Sequence, residues 1–259
     1  MIEAKELCLK FGKHLILNQV SFKAATGKLS VIIGSNGAGK SSLLKVLTGQ
    51  WNPQKGTVAY NGTNINQFNK AKLAQMRAVL SQRITIQFPM SVLEVVLLGR
   101  YPHVIHDVGK RDREIAMAML ERVGMHDFAK RNILTLSGGQ QQRVHMARVW
   151  AQICEVDTAC ALFLDEPTAS LDIRYQHSLL RLAKETVREY AITVIAVLHN
   201  MNLAAQYADH IAVMKKGRLI RTGKPQQVLE SKLIQEVFGV KSIIQTHPVL
   251  DCLQVVTYT

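Results

Sequence analysis

Cysteine is scarce in this chain: there are four in 259 residues, Cys8, Cys154, Cys160 and Cys252, and no Cys-x-x-Cys pair. That spacing excludes a zinc ribbon and a disulfide framework, and it suits a reducing compartment. Long apolar runs are missing too. None reaches the length needed to cross a bilayer, and the polar start Met1-Ile2-Glu3-Ala4-Lys5-Glu6 has no signal-peptide pattern, so a soluble, cytoplasmic protein is expected. There is no internal repeat and no low-complexity linker. Acidic residues are in deficit, with 32 Lys and Arg against 19 Asp and Glu, a formal charge of +13. This balance favours polyanions: nucleotides, anionic lipid headgroups or nucleic acid. The basic residues are spread along the chain without interleaved aromatics or a nucleic-acid-binding motif, so no nucleic-acid partner is expected. Among nine histidines the only close pair is His103 and His106, with Asp107 as its sole neighbouring carboxylate. Structural or surface histidines are expected there, not a metal centre.

What is present is a globular composition, 47% hydrophobic and 20% charged, in a chain long enough to bury a substantial core. The organising stretch is Gly34-Ser35-Asn36-Gly37-Ala38-Gly39-Lys40-Ser41, a Gly-x-x-x-x-Gly-Lys-Ser phosphate loop. It follows the apolar run Leu29-Ser30-Val31-Ile32-Ile33, which reads as a buried strand, and precedes Ser42-Leu43-Leu44-Lys45-Val46-Leu47, which reads as a helix. Glycines let the backbone curl around a triphosphate, so that successive N–H groups and the positive end of the helix face the anion. Lys40 supplies a charge for the β- and γ-phosphates, the Ser41 hydroxyl suits Mg²⁺, and Ser42 opens the helix beside it. A nucleoside triphosphate is the expected ligand.

Strand-like pieces run over Glu6–Lys10, Leu15–Leu17 with Val20–Phe22, and Gly56–Tyr60, the last ending at the hairpin signal Asn61-Gly62. They predict an antiparallel sheet beside the phosphate-loop core. Phe11, on the turn Phe11-Gly12-Lys13, admits two readings: partial core packing, or a face on which an adenine ring stacks. A short strand over Ala78–Ser81 is followed by Gln82. The capping box Ser91-Val92-Leu93-Glu94 starts a helix through about Leu98, and a second helix runs from Asp112 to Val123 with Gly124 as its stop. Residues 83–155 are therefore mostly helical and read as an inserted lobe. Near its end, Leu136-Ser137-Gly138-Gly139-Gln140 runs into the helix Gln141–Arg148, a second helix-end device for an anion.

The apolar run Cys160–Leu164 reads as a buried parallel strand ending in Asp165-Glu166-Pro167-Thr168. Its carboxylates emerge where open α/β sheets bind ligands: Asp165 suits the Mg²⁺ shell, and Glu166 suits proton abstraction from an attacking water. Ser170 or Asp172 can cap the next helix. The strand Ile192–Leu198 ends at His199, which either reaches a γ-phosphate or is structural. A hairpin over His210–Arg221, a helix from Pro225 through about Phe238 and a strand-like tail complete the chain.

This ordered set resembles the ATP-binding subunit of an ABC transporter over essentially the whole length. Gly34–Ser41 looks like Walker A, Gln82 like the Q-loop glutamine, Leu136–Gln140 like the signature, Ala161–Glu166 like Walker B, Ser170-Leu171-Asp172 like the D-loop and His199 like the switch histidine. Phe11 matches the adenine-stacking aromatic, commonly a tyrosine. Glu94–His103 is similar to the helical-lobe segment of importers for iron chelates, haem and vitamin B12. Within that group the haem-importing branch is most similar, including extra residues around Cys154–Cys160. The resemblance implies an α/β fold: a phosphate-loop, RecA-like core sheet flanked by helices (1–82 and 156–259), an N-terminal antiparallel β subdomain, and a helical signature subdomain (83–155). It also implies a head-to-tail homodimer enclosing two ATP molecules with Mg²⁺, in which Gln82 senses Mg²⁺ and the attacking water and His199 steadies the γ-phosphate. Two permease copies, a periplasmic binding protein acting through them, and a place on the cytoplasmic face of the inner membrane follow from the same likeness. Siderophore or vitamin B12 import is the nearest alternative. A soluble ABC ATPase, acting on nucleic acid or the ribosome, usually carries a coiled-coil insertion or a second cassette, which this chain lacks; a phosphate-loop kinase leaves Leu136–Gln140 without a role.

Overall fold

The computed structural model describes residues 1–81, 86–104, 107–154, 161–169 and 171–258. The chain forms two compact units, residues 1–67 with 177–259 and residues 68–176.

The first unit opens with β1 (Ile2–Phe11) and β2 (His14–Ala24), an antiparallel pair joined through Gly12-Lys13. β3 (Lys28–Gly34) leads into α1 (Lys40–Leu47), and β4 (Lys55–Tyr60) turns at Asn61-Gly62 into β5 (Thr63–Asn64). Asn61 and Gly62 both have positive φ, 49° and 86°, the backbone a tight two-residue hairpin requires. β2, β1, β4 and β5 make one antiparallel sheet in that order.

The second unit holds α2 (Lys70–Met76), β6 (Arg77–Leu80), α3 (Val92–Leu97), α4 (Lys110–Arg122), α5 (Gly138–Ile153) and β7 (Ala161–Asp165). β6 and β7 pair in parallel, from Arg77 opposite Ala161 to Leu80 opposite Leu164. The expected capping box at α3 is present: Ser91 N–H and Oγ both donate to Glu94 Oε2 at 2.7 Å, and Glu94 N–H donates to Ser91 Oγ. Those bonds hold the Glu94 carboxyl below its ordinary range.

α6 (Ile173–Tyr190) carries the chain back to the first unit, where β8 (Thr193–Val197), α7 (Met201–Tyr207), β9 (His210–Lys215), β10 (Arg218–Gly223), α8 (Pro225–Val228), α9 (Ser231–Phe238), β11 (Lys241–Thr246) and β12 (Leu253–Tyr258) follow. β3 lies between β8 and β9, parallel to both, and β10 closes on β9 antiparallel. Burial on both faces explains why β3 and β8 read as continuous apolar runs: Val31, Ile32, Ile33, Val194, Ile195 and Ala196 are fully covered.

One expected element divides. The helix predicted from Pro225 to Phe238 breaks at Leu229-Glu230 into α8 and α9. On a single helix the buried Val228, Leu229, Leu233, Ile234 and Val237 would spread over about 240° of its circumference, too wide for one buried stripe. The break lets each half present its own apolar face. Among the described residues, no helix is long and apolar enough to cross a membrane.

Candidate functional site

The first unit brings the phosphate loop and His199 to one edge. In the parallel register Ile32 is opposite Val197, so β3 and β8 end side by side, one in Gly34 and the other two residues before His199. Leu198 N–H donates to Ile32 O at 3.1 Å, and His199 emerges exposed, just ahead of the Asn200 cap of α7.

The loop itself is held from below by the β9–β10 hairpin. A Cβ at Gly34 would lie 2.2 Å from Met214 O, so no other residue fits this approach. At the hairpin tip, Gly217 N–H donates to Ala38 O at 3.0 Å. The sequence showed Lys215-Lys216-Gly217 only as a turn; its bracing of the loop has no local signal. Gly39, at φ 97°, starts α1 without a side-chain cap, which leaves the helix's positive end to the loop and its ligand. Lys40 is 5% exposed, and its Nζ donates to Gly34 O at 2.9 Å and Ser35 O at 3.1 Å. Those two carbonyls hold the ammonium across the loop. Asn36 and Gly37 are exposed, and Ser41 and Ser42 are half-buried in the first turn of α1.

Phe11 ends β1 with 48% of its surface exposed. Its ring meets Trp51 edge-on, centroids 4.9 Å apart and planes at 81°, while Lys45 Nζ lies 4.4 Å from the Trp51 ring. Trp51 therefore fixes the Phe11 ring. The sequence reading missed it because a tryptophan after Gly49 carries no periodic signal.

The second unit places Asp165 and Glu166 at the end of β7 and Ser137 at the start of α5. Asp165 is 7% exposed. Glu166 takes a left-handed φ of 48°, which costs a non-glycine residue about 1–3 kcal/mol and turns the chain sharply out of the strand. The turn is secured by Ala169 N–H on Glu166 O and by Gln142 of α5, whose Nε2 donates to Pro167 O at 3.4 Å. Ser137 caps α5 in a full capping box: its Oγ accepts from Gln140 N–H at 3.3 Å, and its N–H donates to Gln140 Oε1 at 2.9 Å. Ser137 and Gly138 are exposed, and Gly139 and Gln140 half-buried. Asp172 takes the capping role open to it, accepting from Tyr175 N–H at 3.1 Å. Gln82 and Ser170 lie outside the described residues.

The donor chemistry fits a hard divalent cation. Ser41 in the first unit offers a hydroxyl and Asp165 in the second a carboxylate, each an oxygen donor of the kind Mg²⁺ takes.

Known proteins supply the family. The ABC transporter family model matches residues 17–169, which span the phosphate loop, the Ser137 segment and Glu166. The hemin import ATP-binding protein of Deinococcus radiodurans is 43% identical over 256 residues, covering 99% of this chain and 97% of the relative. Its counterpart in Gloeobacter violaceus is 42% identical over 254 residues, covering 97% and 92%. A dimeric ATP-binding cassette solved in a post-hydrolysis state with ADP and phosphate superposes with a TM-score of 0.76 at 26% identity, over 87% of this chain and 99% of that one. The match of the family model to residues 17–169, together with identity above 40% to these relatives over nearly the whole chain, shows the family: the chain belongs to the ABC transporter family, as one of its ATP-hydrolysing subunits.

Proposed function

We propose that this chain energises the import of haemin, or a related iron chelate, through a membrane permease, by ATP-driven closure of a homodimer and its reopening on hydrolysis. One observation carries the dimer: the start of α5, with Ser137 and Gly138 exposed, stands in a unit other than that of the phosphate loop. A second copy can bring its own loop there, so ATP is enclosed between Gly34–Ser41 of one copy and Ser137–Gln140 of the other. The relatives matched over nearly the whole chain are hemin import proteins, which supports haemin as cargo.

The residues divide the work as follows. Phe11, backed by Trp51, offers its face to the adenine. The loop N–H groups from Ser35 to Ser42 cradle the phosphates, and Lys40 exchanges its two carbonyl acceptors for phosphate oxygens. Ser41, Asp165 and Gln82 would hold Mg²⁺, which when bound neutralises phosphate charge. Glu166 takes a proton from water as the water oxygen attacks the γ-phosphorus and the bond to the ADP oxygen breaks, giving ADP and phosphate. His199 steadies the γ-phosphate. Residues 83–155 act as the lobe that passes closure to the permease's cytoplasmic loops, and 1–82 with 156–259 act as the catalytic core. The subunit then sits peripherally on the cytoplasmic face of the inner membrane, with two permease copies and a periplasmic binding protein acting through them.

The test is ATP turnover in proteoliposomes holding this subunit and its permease, with binding protein loaded with haemin, a ferric siderophore or cobalamin. Stimulation by the haemin-loaded protein is expected. Stimulation only by another cargo would reassign the substrate, and a response only to nucleic acid would remove the transport reading.

A further inference from the structure

The segment after α3 is tied to the far end of α5 by a buried arginine. The last carbonyls of a helix have no partner within it. At the end of α5, Arg100 Nη1 donates to Ala151 O at 2.6 Å and to Cys154 O at 3.3 Å, and the His103 ring contacts Gln152 O at 2.7 Å through Nε2. A carbonyl only accepts, so Nε2 carries the proton. The same guanidinium donates from Nε to Asp112 Oδ1 at 2.9 Å, and Asp112 in turn accepts from Gly109 N–H at the start of α4. Arg100 thus lies between the negative end of one helix and a carboxylate on the positive end of another. Its side chain is 8% exposed, and a buried guanidinium is costly unless its arms are engaged.

Two further contacts close the joint. Gln152 Nε2 donates to Ala74 O and Arg77 O, at 2.8 and 3.0 Å, while Gln75 Nε2 donates to Pro102 O at 2.8 Å. At Gly99 a Cβ would lie 2.1 Å from Arg148 O, so the segment's backbone rests directly on α5. On its outer side Tyr101 is 60% exposed. α5 is 16 residues long, so about 24 Å separate this joint from Ser137 at the other end.

We propose that Arg100 is a positioning residue that makes α5 move as one body with residues 99–103, so that a displacement of the Tyr101 segment reaches the signature serine Ser137 through the helix. The proposal rests on the transport reading for what displaces that segment, namely the permease. A merely structural pin would stabilise the end of α5 without any effect at its start.

Two measurements on the full chain separate these roles. Amide hydrogen exchange of the isolated subunit is compared for the native protein, Arg100→Met and Arg100→Lys. Arg100→Met is expected to raise exchange about tenfold at 140–141, whose N–H groups are held by Ser137, as well as at 151–154, and Arg100→Lys, which keeps the charge without the fork, to fall between. A rise confined to 151–154 overturns the proposal. In proteoliposomes, Arg100→Met is expected to keep subunit-alone turnover within about twofold while losing about tenfold of the permease-stimulated rate; equal losses in both overturn it. If Arg100→Met does not fold, Arg100→Lys and Asp112→Asn carry the same comparison. Absence of any permease stimulation in the native protein would count against the transport reading, while exchange at 140–141 still decides the coupling.

Discussion

His145, on α5, is 3% exposed, and neither of its ring nitrogens has a hydrogen-bond partner among the described residues. Burial, helped by the charge of Arg148, holds its pKa down to about 4. In the unfolded chain the imidazole titrates near 6.5, so below that pH the unfolded state binds a proton the folded state refuses. The stability is therefore intact above pH 6.5 and drains away as pH falls toward about 4, by about 3 kcal/mol over the whole span. His145→Leu is expected to remove this slope: its melting temperature should gain on the native protein's as pH drops from 7 to 4.5. Parallel melting curves across that range would contradict it. None of this was legible from sequence, where His145 is one polar residue within a helix. Phe11 was legible as a choice of two roles, and the structure is compatible with both: the ring packs edge-on against Trp51 and leaves about half of its surface open. The left-handed backbone of Glu166 was not legible either, because nothing in Asp-Glu-Pro marks a positive φ on a glutamate.

At the scale of elements, what the sequence showed was what local chemistry determines. The Ser91 capping box, the Asn61-Gly62 turn and the double-faced burial of β3 and β8 each follow from a few adjacent residues. The α8–α9 break depends on which neighbours cover Val228 and Leu229, and no local pattern states that. Gly99 belongs to the same class: in sequence it only follows the helix expected through about Leu98, in the fold it lets the end of α3 lie against α5. Gly99→Ala forces a Cβ to within 2.1 Å of Arg148 O. The strain expected is about 1–3 kcal/mol, seen as a melting temperature lower by about 5 °C. An unchanged melt would show that α3 and α5 can separate without cost.

For the molecule as a whole, the order of motifs along the chain pointed to the family, and charge gave a direction: a surplus of 13 basic residues suits a protein that binds a nucleotide. What lay beyond the sequence is how each motif is braced, by Gly217 under the loop, Gln142 beside Glu166 and Arg100 behind α5. The site we propose to be shared between two copies would be a property of the assembly and belong to no single motif. Its most direct test is the sedimentation of Glu166→Gln with and without ATP and Mg²⁺. Removing the proton acceptor should slow turnover by about 10²–10⁴-fold and trap the closed state, so ATP should convert monomer to dimer, and adding Ser137→Arg should abolish the conversion. A Glu166→Gln protein that binds ATP yet stays monomeric, or one that dimerises equally well with Ser137→Arg, would contradict a site completed by the partner's signature.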